Sequence, residues 1–353
     1  MKNKVVSTMF YSLGAMLLGA LGVFAVFEGG SAIVASVAKP GGVYVYQASP
    51  IQTINPSSQK KLQTAEVLFV GDIMTDRAVR RRVEARLDGS YERLFEKVPE
   101  LKEADITFGN LEGPVSDKGE NVGSIYSFRM DPQTVPALRS SGFDIVSVAN
   151  NHAGDWSFTA FVDTLERLNQ GGVHPVGGAM SKQEARTPII FNVDGISIGF
   201  LAFTDTGPDW LEADEKAGIL LASDPKRLEY IREARAQVDH LIVSYHFGDE
   251  YEFGSNERQQ ELSRSSIDAG ARVIVGHHPH VIQEVEQYGD GLIFYSLGNF
   301  IFDQYFSEET MTGMVARVFF TKEGISSWTE MVSEQDEFLR PVLKNSVTRK
   351  FNY

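Results

Sequence analysis

The chain of 353 residues contains no cysteine. That absence excludes thiolate zinc sites, iron–sulfur clusters, disulfide frameworks and a cysteine nucleophile, so any metal site has to be built from His, Asp, Glu and Asn. Basic charge is also scarce. Against 47 Asp+Glu stand only 33 Lys+Arg, for a formal charge of −14. Nucleic-acid binding through a charge field needs a basic face, so no nucleic-acid partner is expected, whereas cation binding stays open. Internal repeats and low-complexity tracts are missing as well. Present instead is 42% hydrophobic and 11% aromatic content, too apolar for a disordered chain. The length allows one large or two modest domains with a sizeable core.

One long apolar run stands apart from the rest. Lys2 and Lys4 precede an uncharged stretch, Val5 to Phe27, that Glu28 ends. As a helix rising about 1.5 Å per residue, it would cross a hydrocarbon core of about 30 Å. It reads as a retained anchor within residues 1–38. A cleaved signal peptide is the second reading, since Ser36-Val37-Ala38 precedes Lys39, although a signal core usually runs only about 7–15 residues. A buried helix of the globular body is the third. In the first two readings the lysines stay in the cytoplasm. The expected location is then the cell membrane, single-pass, with the globular domain extracytoplasmic. Residues 39–63, with Pro40, Pro50, Pro56 and Ser57-Ser58, read as a polar linker. The body is expected over 64–325, with 326–353 as a C-terminal extension of the same domain.

From Thr64 strand-like and helix-like segments alternate, the pattern of a layered α/β domain. Strands are expected at 65–70, 105–108, 143–149, 196–203, 241–245, 272–275 and 292–295, and helices at 75–87 and 158–168. Six times an apolar run ends where a cluster of Asp, Asn, Glu, His and Gly begins. Polar turns alone would explain one or two such loops. In open α/β sheets, however, ligands bind beyond the carboxyl ends of the strands, where residues distant in sequence converge. Five of the seven histidines fall in such loops: His152, His246, His277, His278 and His280. Gly276-His277-His278-Pro279-His280 suggests two imidazoles aimed into one cavity from an extended turn, and imidazole with carboxylate suits Zn, Mn or Fe. His174 and His240 read as structural. Arg80-Arg81-Arg82 reads as a solvated helix face, Asp155 as the N-cap of the following helix, and Asp303 as a residue that orients a histidine.

The ordered motifs Gly71-Asp72-Ile73-Met74, Asn110-Leu111-Glu112-Gly113, Ala149-Asn150-Asn151-His152, His246-Phe247-Gly248-Asp249-Glu250-Tyr251, Gly276-His277-His278-Pro279-His280-Val281 and Ser296-Leu297-Gly298-Asn299-Phe300 span about residues 65 to 305. This set resembles the bacterial capsule-synthesis family typified by the poly-γ-glutamate assembly protein CapA, itself similar to calcineurin-type metallophosphoesterases. The resemblance implies a four-layer α/β/β/α sandwich around one or two divalent metal ions (Mn, Zn or Fe), preceded by a membrane anchor. It implies Asp72, Glu112, Asn151, His246, His278 and His280 as metal ligands. His152 would be the proton donor. Asn110, Arg129, His277 and Asn299 would support the ligands or bind substrate, with Arg129 taking an anionic group. Met74 stands where the phosphoesterase pattern has a histidine ligand, which makes a one-metal site an alternative.

The resemblance points to a component of capsule or poly-γ-glutamate synthesis with a metal-dependent, phosphoesterase-like hydrolase site. Its expected partners are an anionic extracellular polymer or its precursor, together with other membrane components of a polymer synthase. Two other readings stay open. One is a cell-envelope phosphoesterase acting on a small or lipid-linked phosphate, and the other is a polymer-binding module without turnover.

Overall fold

In the computed structural model the described residues are three N-terminal strands and residues 63–351. The chain divides into two units, Met1–Lys61 and Leu62–Tyr353. In the first, strands Val23–Glu28, Ser31–Lys39 and Gly42–Gln47 form an antiparallel sheet in chain order. Valine, phenylalanine and tyrosine suit a pleated ladder, and Gly29-Gly30 and Pro40-Gly41 separate the runs in sequence. Val23–Glu28 thus overlaps the end of the stretch expected to be helical over 5–27, whose residues 5–22 lie outside the described residues. Gly42–Gln47 is a strand inside the expected linker. Among the described residues, no helix is long and apolar enough to cross a membrane.

In the second unit two sheets carry the body. The first has eight strands. Pro341–Lys350, Ile325–Gln335, Thr312–Phe320 and Ala65–Ile73 run antiparallel in that spatial order. Ile106–Leu111, Ile145–Ser147 and His174–Val176 continue it in parallel. Asn299–Ile301 pairs in parallel with the far end of Ala65–Ile73. The second sheet has the order Val285–Tyr288, Gly291–Phe294, Val273–His277, His240–His246, Ile196–Thr204, Ile189–Val193, with its four central strands parallel.

Alternation along these strands sets the layers, because successive side chains leave opposite faces. Ile198, Phe200, Ile242, Val273, Val275 and Phe294 join the core shared with the first sheet. Phe200 stacks there on Phe108 at 5.9 Å. Their neighbours Leu201, Phe203, Val243, Tyr245 and Ile274 pack outward with Tyr230, Ile231 and Leu262, which lie on helices Arg227–Arg235 and Glu257–Asp268. Helices Arg77–Arg86, Thr134–Ser141 and Ser157–Gln170 contribute Val79, Val83, Leu138 and Leu165 to the core of the first sheet. The result is a mixed α/β body in which two sheets face each other and helices flank them.

At the carboxyl ends of their parallel strands the two sheets are tied by a polar contact. His277 brings its Nε2 to 3.2 Å from the Val70 carbonyl, tying the second sheet to the first. Beside it, the Asp72 N–H donates to the Gly298 carbonyl at 2.9 Å. A Cβ on Gly71 would lie 1.9 Å from that same carbonyl oxygen, so the strand holding Asp72 can approach only with glycine there. Gly71→Ala should cost about 1–3 kcal/mol by overpacking, read as a lower denaturant midpoint at unchanged slope. Gly254→Ala, where a Cβ would meet nothing within 4 Å, should leave the midpoint in place. Equal midpoints for the two variants would refute the close-approach argument.

Candidate metal centre

Each polar cluster begins where a parallel strand ends. Asp72 lies in Ala65–Ile73, Asn110 and Glu112 at the end of Ile106–Leu111, and Asn150 to His152 shortly after Ile145–Ser147. From the opposite sheet come His246, closing His240–His246, and His277 to His280, closing Val273–His277. His278 and His280 both hold positive φ, 99° and 60°, on either side of Pro279. This corrects the extended turn expected for them. Left-handed backbone at non-glycine residues costs about 1–3 kcal/mol each and clusters at functional sites.

The turn brings the imidazoles together. The His246 and His278 rings are 4.8 Å apart and the His278 and His280 rings 6.0 Å. Asn110 Nδ2 donates to Asp72 Oδ1 at 2.8 Å and lies 3.3 Å from Glu112 Oε2. His246 Nε2 meets Asn151 Oδ1 at 2.8 Å. His280 Nδ1 sits 3.0 Å from Asn299 Oδ1 and 3.3 Å from Asp72 Oδ2, and its Nε2 is 3.6 Å from Glu112 Oε1. Asn299 in turn donates to Gln304 and to the Thr310 carbonyl, so its amide oxygen is fixed toward His280. All the expected ligands therefore gather in one place.

Burial sets the electrostatics. Asp72 and Glu112 are both fully buried. Burial pushes the Glu112 carboxyl well above the usual carboxylate range, with His280 countering only in part. Burial acts the same way on Asp72, but the hydrogen bond from His280 and the nearby His277 hold it below its ordinary value. His246 is driven well down by burial and by His278 beside it, and His278 falls to about 4 by burial and its neighbour His280. Both are neutral near pH 7. Burial also opposes charge on His280, yet Glu112 and Asp72 together lift it to about 9.

The donor set fits a divalent cation. Among the described residues, Glu112 Oε1 and His278 Nδ1 are buried without a hydrogen-bond partner, and such orphans call for an explanation such as an ion. Asp72, Glu112 and His246 offer ligand atoms within 4.8 Å of one another, and so do Glu250, His278 and His280. Glu250, outside the ligand set implied by the motifs, lies in an exposed loop after His246. Met74 offers nothing to an ion. It is buried with Phe128 and Phe302, and its sulfur accepts the Asp76 N–H.

His152 stands beside this centre. Its ring lies 4.0 Å from the Phe128 ring, and Nδ1 is 2.7 Å from Asp155 Oδ2. Asp155 also accepts the Phe128 N–H. It is not the N-cap expected from the sequence, a position that Trp156 takes without a side-chain cap. Three other residues take contacts that the sequence did not show. Arg129 lays its guanidinium 3.7 Å from the Trp156 ring and is not among the pocket-lining residues. Asp303 pairs with Arg77 at 2.9 Å and accepts the Ala78 N–H, and among the described residues it hydrogen-bonds to no histidine. His277 is a fully buried inter-sheet tie, held by Val70 and Ser244, and lies off the pocket. The pocket itself, of about 300 Å³, is lined by Arg77, Phe128, His152, Glu250, His280 and Phe306, among others.

Comparison with known proteins assigns the family. The profile described as "Bacterial capsule synthesis protein PGA_cap" matches residues 66–304. PGA biosynthesis protein CapA of Bacillus subtilis (strain 168) is 35% identical over 241 residues, which is 67% of this chain and 63% of the relative. Capsule biosynthesis protein CapA of Bacillus anthracis is 33% identical over 263 residues, 72% of this chain and 63% of the relative. The chain thus spans less than two thirds of the length of these curated relatives. Among solved structures, NAD nucleotidase of Haemophilus influenzae aligns with a TM-score of 0.46 at 10% identity, over 80% of this chain and 54% of that one. The extent of the profile match and the identity to the two Bacillus proteins establish that this chain belongs to the bacterial capsule synthesis family PGA_cap.

Proposed function

We propose that this site binds one or two divalent cations and hydrolyses a phosphate ester during assembly of an anionic capsule polymer, poly-γ-glutamate or a relative of it. The observation that carries this reading is the pair of buried orphans, Glu112 Oε1 and His278 Nδ1, beside a histidine that Asp155 holds in place. Asp72, Glu112 and His246, with Asn151 next to His246, would hold one ion. Glu250, His278 and His280 would hold another. Bound cations of this kind polarise a phosphoryl oxygen and acidify water.

The remaining steps belong to the chain. Asp155 fixes the tautomer and aim of His152, leaving Nε2 toward the pocket. As a water molecule adds to phosphorus and loses a proton to solvent, the P–O ester bond breaks and His152 gives an Nε2 proton to the leaving oxygen; the ring then regains that proton from solvent. Arg77, pinned by both oxygens of Asp303, presents a cation at the pocket wall for an anionic group. The uncharged stretch from Val5 to Phe27, flanked by lysines on one side only, supports a membrane-anchored body outside the cytoplasm.

Three measurements test the reading. In the double variant His278→Ala/His280→Ala, metal content per chain should fall by at least one ion, and hydrolysis in a phosphate-ester screen should vanish; unchanged metal content would sink the assignment. His152→Ala should keep its metal and lose about 10²-fold or more in kcat, with Asp155→Asn intermediate. Loss of metal in His152→Ala would instead make His152 a ligand. For location, protease added to intact cells should digest the body and spare an N-terminal tag, and a fully protected body would refute the outward orientation.

A further inference from the structure

We propose that the exposed face of helix Arg77–Arg86 is a docking track for a polyanionic chain whose reactive end enters the metal-site pocket. The inference deepens the reading of that site as one acting on an anionic polymer, and it rests on that reading. The helix sequence RAVRRRVEAR holds five arginines and a single acid, Glu84, in a chain whose formal charge is −14. Two of the five have local duties. Arg77 is paired with Asp303, and Arg80 is paired with Asp76 at 3.2 Å while also donating to the Arg129 carbonyl. Arg81, Arg82 and Arg86 are exposed and make no ion pair or hydrogen bond among the described residues.

Their placement distinguishes them from a scattered solvated face. Ala78, Arg82 and Arg86 follow at intervals of four with Arg81 and Ala85 beside them, so they share one side of the helix. Together with Tyr305 they line a groove of about 340 Å³. Tyr305 is 65% exposed, and its neighbour Phe306 lines the metal-site pocket, as does Arg77 at the start of the helix. The groove and the pocket are thus lined by consecutive residues at two places, Arg77-Ala78 at the helix start and Tyr305-Phe306. From Arg77 to Arg86 the helix rises about 14 Å, a span that several repeats of a charged polymer can follow. Ala85, small and exposed between Arg82 and Arg86, leaves room for a chain to lie against the helix. Charge complementarity selects the occupant: unpaired guanidinium groups on an acidic protein attract a polycarboxylate and offer it bidentate contacts.

The test uses the full chain, a fluorescent synthetic oligomer of about ten glutamates, and a small aryl phosphate. Arg81→Gln/Arg82→Gln/Arg86→Gln should weaken oligomer binding about tenfold or more at low salt. The difference should shrink as the Debye length contracts from about 30 Å at 0.01 M to about 10 Å at 0.1 M. The corresponding triple lysine variant should retain most of the binding. Metal content, the thermal midpoint and aryl phosphate hydrolysis should match the parent chain in both variants. Unchanged oligomer binding in the glutamine variant, or no binding by the parent chain, overturns the track. So does a loss seen only with phosphatidylglycerol vesicles, which would make the face a membrane contact. Failure of the hydrolase reading shows separately, as absent turnover of the aryl phosphate with oligomer binding still sensitive to the three arginines.

Discussion

Two buried carboxylates, Asp72 and Glu112, impose the constraint around which the site is arranged. An ionised carboxyl with no access to water is costly unless it is paired, hydrogen-bonded or bound to metal. Around this pair the fold gathers His280, the Asn110 amide and the backbone N–H of His278, which lies 3.3 Å from Asp72. These contacts satisfy Asp72 but leave one oxygen of Glu112 without a hydrogen bond, with His280 Nε2 3.6 Å away. The compensation is thus built for more positive charge than the side chains supply. The close backbone approach at Gly71 and Gly298 serves the same site, because it seats Asn299–Ile301 beside Asp72 in the first sheet and so sets Asn299 against His280.

Much of this arrangement can be read from the sequence because the central strands are parallel and buried on both faces. Such strands appear as unbroken apolar runs, and the polar residue ending each run marks the edge where a site can form. The antiparallel strands at the C-terminus are harder to see. Ile325–Gln335 mixes buried and half-exposed positions, and most of Pro341–Lys350 is exposed, so polar residues interrupt both. Short pairings such as His174–Val176 and Asn299–Ile301 fall below what periodicity can resolve, and tertiary contacts hold them instead.

The misread side chains share one cause. Sequence spacing tells which residues lie near a strand end but not which neighbour each one meets. Asp155 sits just before a helix and so resembles a cap, yet that helix starts at Ser157 and leaves the carboxylate free for His152. Asp303 follows the Asn299 motif and so suggests a histidine partner, whereas Asn299 itself takes that role. Glu250 lies among glycines and acids in an exposed loop, where a carboxylate is unremarkable until the fold sets it beside His278 and His280. Arg129 and Arg77 both stand near the pocket in sequence terms. Only the three-dimensional positions of Trp156 and Asp303 decide which of the two faces it.

Met74 shows how packing and ligation trade places at this centre. The position that the motif would give to an imidazole is filled by an apolar side chain packed with Phe128 and Phe302. Those two rings lie against two histidines of the candidate site, Phe128 at 4.0 Å from His152 and Phe302 at 4.8 Å from His280. Met74 therefore acts through support, holding the surfaces on which the imidazoles rest, and an imidazole placed there would need a new polar partner inside an apolar cluster. Across the pocket, Glu250, a carboxylate open to solvent, offers an oxygen within 4.8 Å of ligand atoms of His278 and His280. A cation held partly by an exposed, water-screened group is bound less tightly than one enclosed by Asp72, Glu112 and His246. The two candidate donor sets are thus unequal: Asp72, Glu112 and His246 are all buried, whereas the other set includes the exposed Glu250 at the pocket wall.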